Sequence, residues 1–207
     1  MNLRTTHRAT LRLGVLISGG GTTLENLVTR IADGRLRNVG IELVVSSRRD
    51  VRGVEIARRA GLPVEVVRPR DFADIGAFSR TLGNVLTHAG VELVAMAGFL
   101  CLWRIPAPLR GRVLNIHPAL LPKFGGRGMY GHHVHEAVLA AGETQSGCTV
   151  HVADDEYDHG PILAQRRVPV QPGDDPATLA ERVGRAEREL YPEIIQEIAD
   201  RGLWWLE

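Results

Sequence analysis

A chain of 207 residues with 25 Lys and Arg against 24 Asp and Glu, 44% hydrophobic residues, 23 Gly and 11 Pro has the composition of one globular α/β domain with a sizeable core. A net charge of +1, with no block of like charge, argues against a nucleic-acid face or a polybasic tail. The longest apolar run, Leu93 to Trp103, is too short to span a bilayer, and two cysteines, Cys101 and Cys148, are too few for a disulfide scaffold and favour a reducing cytoplasm.

Residues 1–10 hold arginines but no apolar stretch of a secretory signal, so they read as a flexible N-terminal tail. Leu13–Ile17 is a short apolar run that enters Ser18-Gly19-Gly20-Gly21-Thr22-Thr23, after which Leu24, Leu27, Val28 and Ile31 recur with the spacing of a helix, stopped by Gly34. Strand, glycine loop and helix start together make a layout whose free N–H groups hold a phosphate. Leu24 occupies the third glycine position of a dinucleotide fingerprint and the Gly-Lys-Ser/Thr of a Walker loop is missing, so one phosphate fits better than a pyrophosphate. Ile41–Ser47 reads as a second strand, Asp50 as the cap of a helix running to Ala60, and Val64–Val67 as a third strand. Phe78, Leu82, Val85 and Ala89 mark a further helix, Leu93–Ala97 a buried strand and Gly98–Trp103 an apolar loop. This alternation argues for a Rossmann-like, mostly parallel central sheet with helices on both faces, whose ligands lie beyond the carboxyl ends of the strands.

The stretch from Arg112 to Lys123 stands at the centre of the chain. Val113 and Leu114 lead into Asn115 and His117, which point to one face of an extended chain and so can aim an amide N–H and an imidazole at a single atom. Pro118 biases His117 toward the β region, and a donor pair of this kind suits a developing oxyanion. Lys123–Gly131 follows as a loop with four glycines, then a helix through Val134, Ala137, Val138 and Ala141. Its His132-His133-Val134-His135-Glu136 lacks the spacing of a zinc motif, and no metal is expected. Thr149–Ala153 alternates like a strand, Asp154–Pro161 is an acidic turn in which Gly160-Pro161 gives Asp158 a shaped setting, and Ile162–Val170 is a last strand. Pro176 opens a helix with Leu179, Val183, Ala186 and Leu190 on one face and Glu187 beside it; Tyr191-Pro192 is expected to interrupt it. The apolar Leu203–Leu206 either packs back or forms a contact surface.

Leu16–Leu24, Ala97-Gly98-Phe99, Leu114–Lys123, Asp155–Pro161 and Glu187–Pro192 together resemble the phosphoribosylglycinamide formyltransferases, folate-dependent enzymes of purine synthesis. The resemblance covers nearly all of residues 11–207, as a single domain with a phosphate-binding half (11–115) and a catalytic, folate-binding half (116–207). It implies formyl transfer from 10-formyltetrahydrofolate to the amine of glycinamide ribonucleotide, without a metal, nucleic acid or membrane, in the cytoplasm; a homodimer is compatible with it. By the same resemblance Asn115, His117 and Asp158 are catalytic, Gly21, Thr22 and Thr23 cradle the phosphate and Glu187 binds the ribose hydroxyls. Leu100, Cys101 and Trp103, with the backbone of Ala153, Asp154, Asp155, Glu156, Tyr157 and Asp158, form the pterin pocket. Asp158 would orient His117 and favour its charged form. Gly184 stands where relatives often carry a Lys or Gln reaching for the phosphate, leaving Arg127 or a helix Arg to replace it.

Other readings of the residues exist. A sugar-nucleotide N-formyltransferase or a formyltetrahydrofolate hydrolase would share the catalytic trio, although the hydrolase is expected to carry an N-terminal regulatory domain. A methionyl-tRNA formyltransferase is expected to need a C-terminal RNA-binding domain and a basic face. A nicotinamide-dependent oxidoreductase conflicts with Leu24 and with the lack of an acidic residue closing the second strand, and a non-catalytic nucleotide-binding module leaves Asn115, His117 and Asp158 idle.

Overall fold

In a computed structural model describing residues 10–206, with only the backbone described at Trp204, seven strands form one sheet. The strands are β1 (Leu11–Ile17), β2 (Val39–Ser46), β3 (Val64–Val66), β4 (Leu93–Met96), β5 (Val113–His117), β6 (Gln145–Val152) and β7 (Ile162–Pro169), in the order β3-β2-β1-β4-β5-β6-β7. Pairing is parallel from β3 to β5 and antiparallel from β5 through β7. The helices are α1 (Thr22–Ala32), α2 (Arg52–Arg59), α3 (Ile75–His88), α4 (His132–Ala140) and α5 (Pro176–Arg201). Nearly the whole N-terminal tail expected at residues 1–10 lies outside the described residues.

Both faces of the parallel half are covered, which is why its strands are apolar without strict alternation. Leu13, Val15 and Ile17 of β1 join the core under α1, α2 and α5, whereas Leu16 joins the core under α3. The buried residues of α1 (Leu24, Leu27) and of α3 (Phe78, Leu82, Leu86) repeat at three and four, so each helix turns one stripe to the sheet. None of the described helices is long and apolar enough to cross a membrane.

Two expectations are corrected. Asp50 does not cap α2, which starts from an extended Val51 with no side-chain cap. Nor does Tyr191-Pro192 break α5, which runs unbroken for 26 residues. An interior proline removes the N–H that would bond the carbonyl four residues earlier; here that carbonyl belongs to Arg188, and Asn26 Nδ2 of α1 donates to it at 2.8 Å. Fully buried Tyr191 holds the same turn, with its hydroxyl 3.0 Å from the Leu114 carbonyl and 3.2 Å from that of Met96. The terminal apolar segment packs back: Leu203, Trp205 and Leu206 lie against the core, and Arg201 stacks over the Trp205 ring at 5.3 Å.

Candidate active site

The carboxyl ends of β1, β4 and β5 open onto a cavity of 690 Å³, within the range of small-molecule sites. Ser18, at the end of β1, joins two of the loops around it. Its hydroxyl meets Ser47 at 2.7 Å and accepts from Leu100 N–H at 3.0 Å, while its N–H donates to Gly98 O. Gly21 then starts α1 with φ +70°, and a Cβ there would lie 2.5 Å from the Cα of Gly53. Only glycine allows α1 and α2 to approach so closely. Thr22 and Thr23 follow as the first helical residues and line the cavity, where their N–H groups have no intrahelical acceptor and the helix dipole adds positive potential. Gly21 is absent from the lining; it shapes the cradle from behind.

The polar centre is a stripe across β5 and β6. Register places Asn115 opposite His151 and His117 opposite Thr149, so all four share one face of the sheet. Asn115 Nδ2 lies 3.2 Å from Asp158 Oδ1, and His117 Nδ1 lies 3.4 Å from the same oxygen. The two strand residues therefore converge on one atom, and that atom is anionic. His151 was not singled out in the sequence, yet its Nε2 lies 3.1 Å from Asn115 Nδ2 and 3.7 Å from Asp158 Oδ1. The available signal was a histidine at an inward position of an alternating strand. His151 Nδ1 lies 3.2 Å from Val152 O, which turns its Nε2 toward both the Asn115 amide and the Asp158 carboxylate.

Asp158 is held by the turn it belongs to. Its backbone takes φ +55°, rare for a residue with a side chain, and Gly126 N–H donates to its Oδ2 at 3.0 Å. Burial would push its carboxyl up, but His151, His117 and the Gly126 N–H outweigh that and keep it below the usual range, so it is ionised at neutral pH. His117 is buried, and its Nε2–H donates to Phe124 O at 2.8 Å. Burial holds the His117 imidazole below the ordinary histidine range; Asp158 favours its charged form, as expected, but does not outweigh that burial.

The segment after Pro118 is tethered by Thr149, whose hydroxyl donates to Ala119 O at 2.7 Å and accepts from Leu121 N–H at 3.1 Å. Gln165 of β7 reinforces it with bonds of 2.9 Å to Leu121 O and Thr149 Oγ1. Beyond this anchor the loop is irregular, with Gly126 at φ +96° and Gly128 at +91°, and Gly126, Arg127 and Gly128 line the cavity. Of the α4 histidines, His132 and His133 are exposed and Glu136 meets His133 at 3.3 Å. His135 is buried beside the cavity and kept down to about 4 by burial, helped by His132 and His117.

Leu100, Cys101 and Trp103 line the cavity, Leu100 exposed and Trp103 almost fully buried with an indole N–H lacking a partner among the described residues. Ala153, Asp154, Glu156, Tyr157 and Asp158 line it too. Asp155 does not: it turns away and its Oδ1 accepts from Ile105 N–H at 2.9 Å, tying the turn to the loop after β4. Glu187 lines the far wall with no side-chain partner among the described residues, and burial pushes its carboxyl up to about 7. At Gly184 the Arg188 guanidinium lies 3.4 Å from where a Cβ would stand, and Arg127 lines the cavity.

Residues 11–195 match the family model described as "Formyl transferase". The chain is 42% identical over 202 residues to the chloroplastic phosphoribosylglycinamide formyltransferase of Arabidopsis thaliana, covering 95% of this chain and 68% of that protein. It is 36% identical over 190 residues to the human trifunctional purine biosynthetic protein adenosine-3, of which it spans 18%. Among solved structures, glycinamide ribonucleotide transformylase 1 of Symbiobacterium toebii superposes with a TM-score of 0.87 at 37% identity, covering 97% of this chain and 92% of that one.

Proposed function

The chain belongs to the formyl transferase family, and on that premise we propose that it transfers the formyl group of 10-formyltetrahydrofolate to the amine of glycinamide ribonucleotide in purine biosynthesis. The observation that carries this reading is the convergence of Asn115 Nδ2 and His117 Nδ1 on one anionic oxygen, inside a cavity with a helix N-terminus at one end and an apolar loop at the other. The ribonucleotide phosphate sits at the N–H groups of Thr22 and Thr23, with Gly21 giving the loop its shape. Arg127 or Arg188 supplies the contact that Gly184 cannot. Glu187 takes the ribose hydroxyls. Leu100, Cys101 and Trp103, with Ala153–Asp158, take the pterin, and the unpartnered Trp103 indole N–H is a donor available to its polar edge.

The amine attacks the formyl carbon, and the carbonyl electron pair moves onto oxygen. Asn115 donates to that oxyanion, with its amide held by His151. His117 enters neutral, its Nε2–H committed to Phe124 O, so Nδ1 is free to take the proton the amine sheds. The resulting imidazolium is stabilised by Asp158, donates to the oxyanion, and returns the proton to N10 as the carbon–N10 bond breaks. No enzyme nucleophile is required, and burial pushes the Cys148 thiol up to about 12. Much of the acceleration comes from holding two substrates in register, which accounts for a phosphate site remote from the reacting carbon. The two free cysteines suit a reducing, cytoplasmic setting.

The test is turnover of the purified chain with glycinamide ribonucleotide and 10-formyltetrahydrofolate, reading tetrahydrofolate release and the formylated amide together. Formylated ribonucleotide equal to the folate released is the expected result. Release of formate instead, or formylation only of a sugar-nucleotide amine, would count against the assignment.

A further inference from the structure

We infer that His135 is an acceptor-binding residue whose Nε2–H donates to the carbonyl oxygen of the glycinamide, so that it selects an aminoacyl amide over a bare amine. This rests on the formyl-transfer reading above and gives a role to the buried histidine that the chemistry at Asn115, His117 and Asp158 does not use. The helix that carries it offers no structural reason for an imidazole. Val134, His135 and Val138 are the buried residues of α4, and Val138 joins the core that α5 builds with Leu179 and Val183. A leucine would fill such a position with no polar atom to satisfy. His135 instead has its Nδ1 enclosed, with no partner among the described residues. A buried polar atom left unpaired costs stability, so its retention points to a ligand and not to the fold.

The surroundings of the ring set both its protonation and its ligand. Burial, helped by His132 and His117, keeps it neutral at physiological pH, so it carries a single proton. On the enclosed Nδ1 that proton would be a donor without an acceptor; on Nε2 it becomes a donor toward the cavity that His135 lines. The helix α4 packs on α5, and Ala180 and Glu187 of α5 line the same cavity two helical turns apart. His117 is near enough to act on the His135 ring. With the ribose at Glu187 and the amine at His117, the group that joins them is the glycinamide amide. Its carbonyl is the acceptor that a neutral N–H on this wall can meet. A sugar amine, attached directly to its ring, has no carbonyl to offer there.

The experiment compares the wild-type chain with His135→Leu, measuring KM for glycinamide ribonucleotide, KM for 10-formyltetrahydrofolate, inhibition by ribose 5-phosphate, and thermal unfolding. Ribose 5-phosphate keeps the phosphate and ribose contacts but has no glycinamide. Loss of one neutral hydrogen bond should raise KM for the ribonucleotide roughly three- to tenfold. KM for the folate and the inhibition constant of ribose 5-phosphate should not change. The variant should unfold no earlier than the wild-type chain, since it removes an unpaired polar atom from an apolar position. An unaltered KM for the ribonucleotide, an equal weakening of ribose 5-phosphate, or a variant that unfolds early or does not fold would each overturn the inference and leave formyl transfer standing. A wild-type chain that fails to formylate the ribonucleotide would overturn both the inference and the reading it rests on.

Discussion

The active site is built from two kinds of support. Asn115, His117, Thr149 and His151 stand on β5 and β6, where pairing fixes which residues face one another and the ladder fixes their spacing. Asp158 stands on a turn, in a left-handed conformation, its carboxylate caught by the Gly126 N–H of a second loop. The strand residues present an amide donor and a neutral imidazole that need no ligand to be in place. The loop residue brings a negative charge to that pair, and its carboxylate is held where two loops lie against each other. Preorganisation and adaptability thus sit on opposite sides of one contact, the shared oxygen of Asp158.

The sharpest way to break this comparison is to remove one member from each side. His117→Ala should cost about 2.7–4 kcal/mol of transition-state stabilisation, roughly 10²–10³ in turnover, and Asp158→Asn at least as much. In the proposed mechanism the two groups act on one proton and one oxyanion, so the double variant should be far from additive. A double-mutant cycle on turnover, with folate affinity followed in parallel, reads this; full additivity would mean that the loop carboxylate and the strand imidazole work separately.

The loop side can also be displaced without touching a charge. A Cβ on Gly160 would sit 1.9 Å from Val152 O, where the turn closes against β6. Gly160→Ala should therefore lower stability by about 2 kcal/mol or more and reduce turnover, since Asp158 moves with the turn. Thermal unfolding and turnover measured together test it, and normal values of both would show that the turn does not fix Asp158.

Glu187 tests the far wall of the cavity. Its carboxyl is raised from 4.5 to about 7 by burial, so the stability it contributes is full below pH 4.5 and is lost as pH rises through about 7. Glu187→Gln should then stabilise the free chain at pH 8, on the order of 1–2 kcal/mol, with little effect near pH 4.5, while weakening ribonucleotide binding. Denaturant titrations at the two pH values decide it. The smallest effect is expected from Gly126→Ala with Gly128→Ala. At φ +96° and +91° each alanine costs about 1 kcal/mol, in a loop that lines the cavity, so turnover should fall severalfold with folate and ribonucleotide affinity less altered. Single-turnover kinetics separate chemistry from substrate binding and product release.

The chain order of strands and helices was legible because each element carries its own period: the stripes of α1 and α3, the apolar runs of β1, β4 and β5. The Asn115–His117 pair was legible for the same reason, since residues two apart on a strand share a face whatever the partner strand is. Residues whose role depends on a distant partner were misread or missed. Asp50 looked like a cap because capping chemistry is local, but the chain enters α2 from an extended Val51. Pro192 looked like a break, and it is tolerated only because Asn26, far away in sequence, satisfies the carbonyl that the proline leaves free.

The sequence by itself determined the secondary elements, the glycine loop before α1 and the aim of the two strand donors, all of which follow from rules acting over a few residues. Tertiary structure alone decided that His151 supports Asn115 and that Asp155 serves the Ile105 loop and not the cavity. It also decided that His117 is held below, not above, its ordinary pKa. Each of these depends on register between strands, on loops meeting across the sheet edge, or on how much water is excluded, and such quantities exist only once the chain has closed on itself.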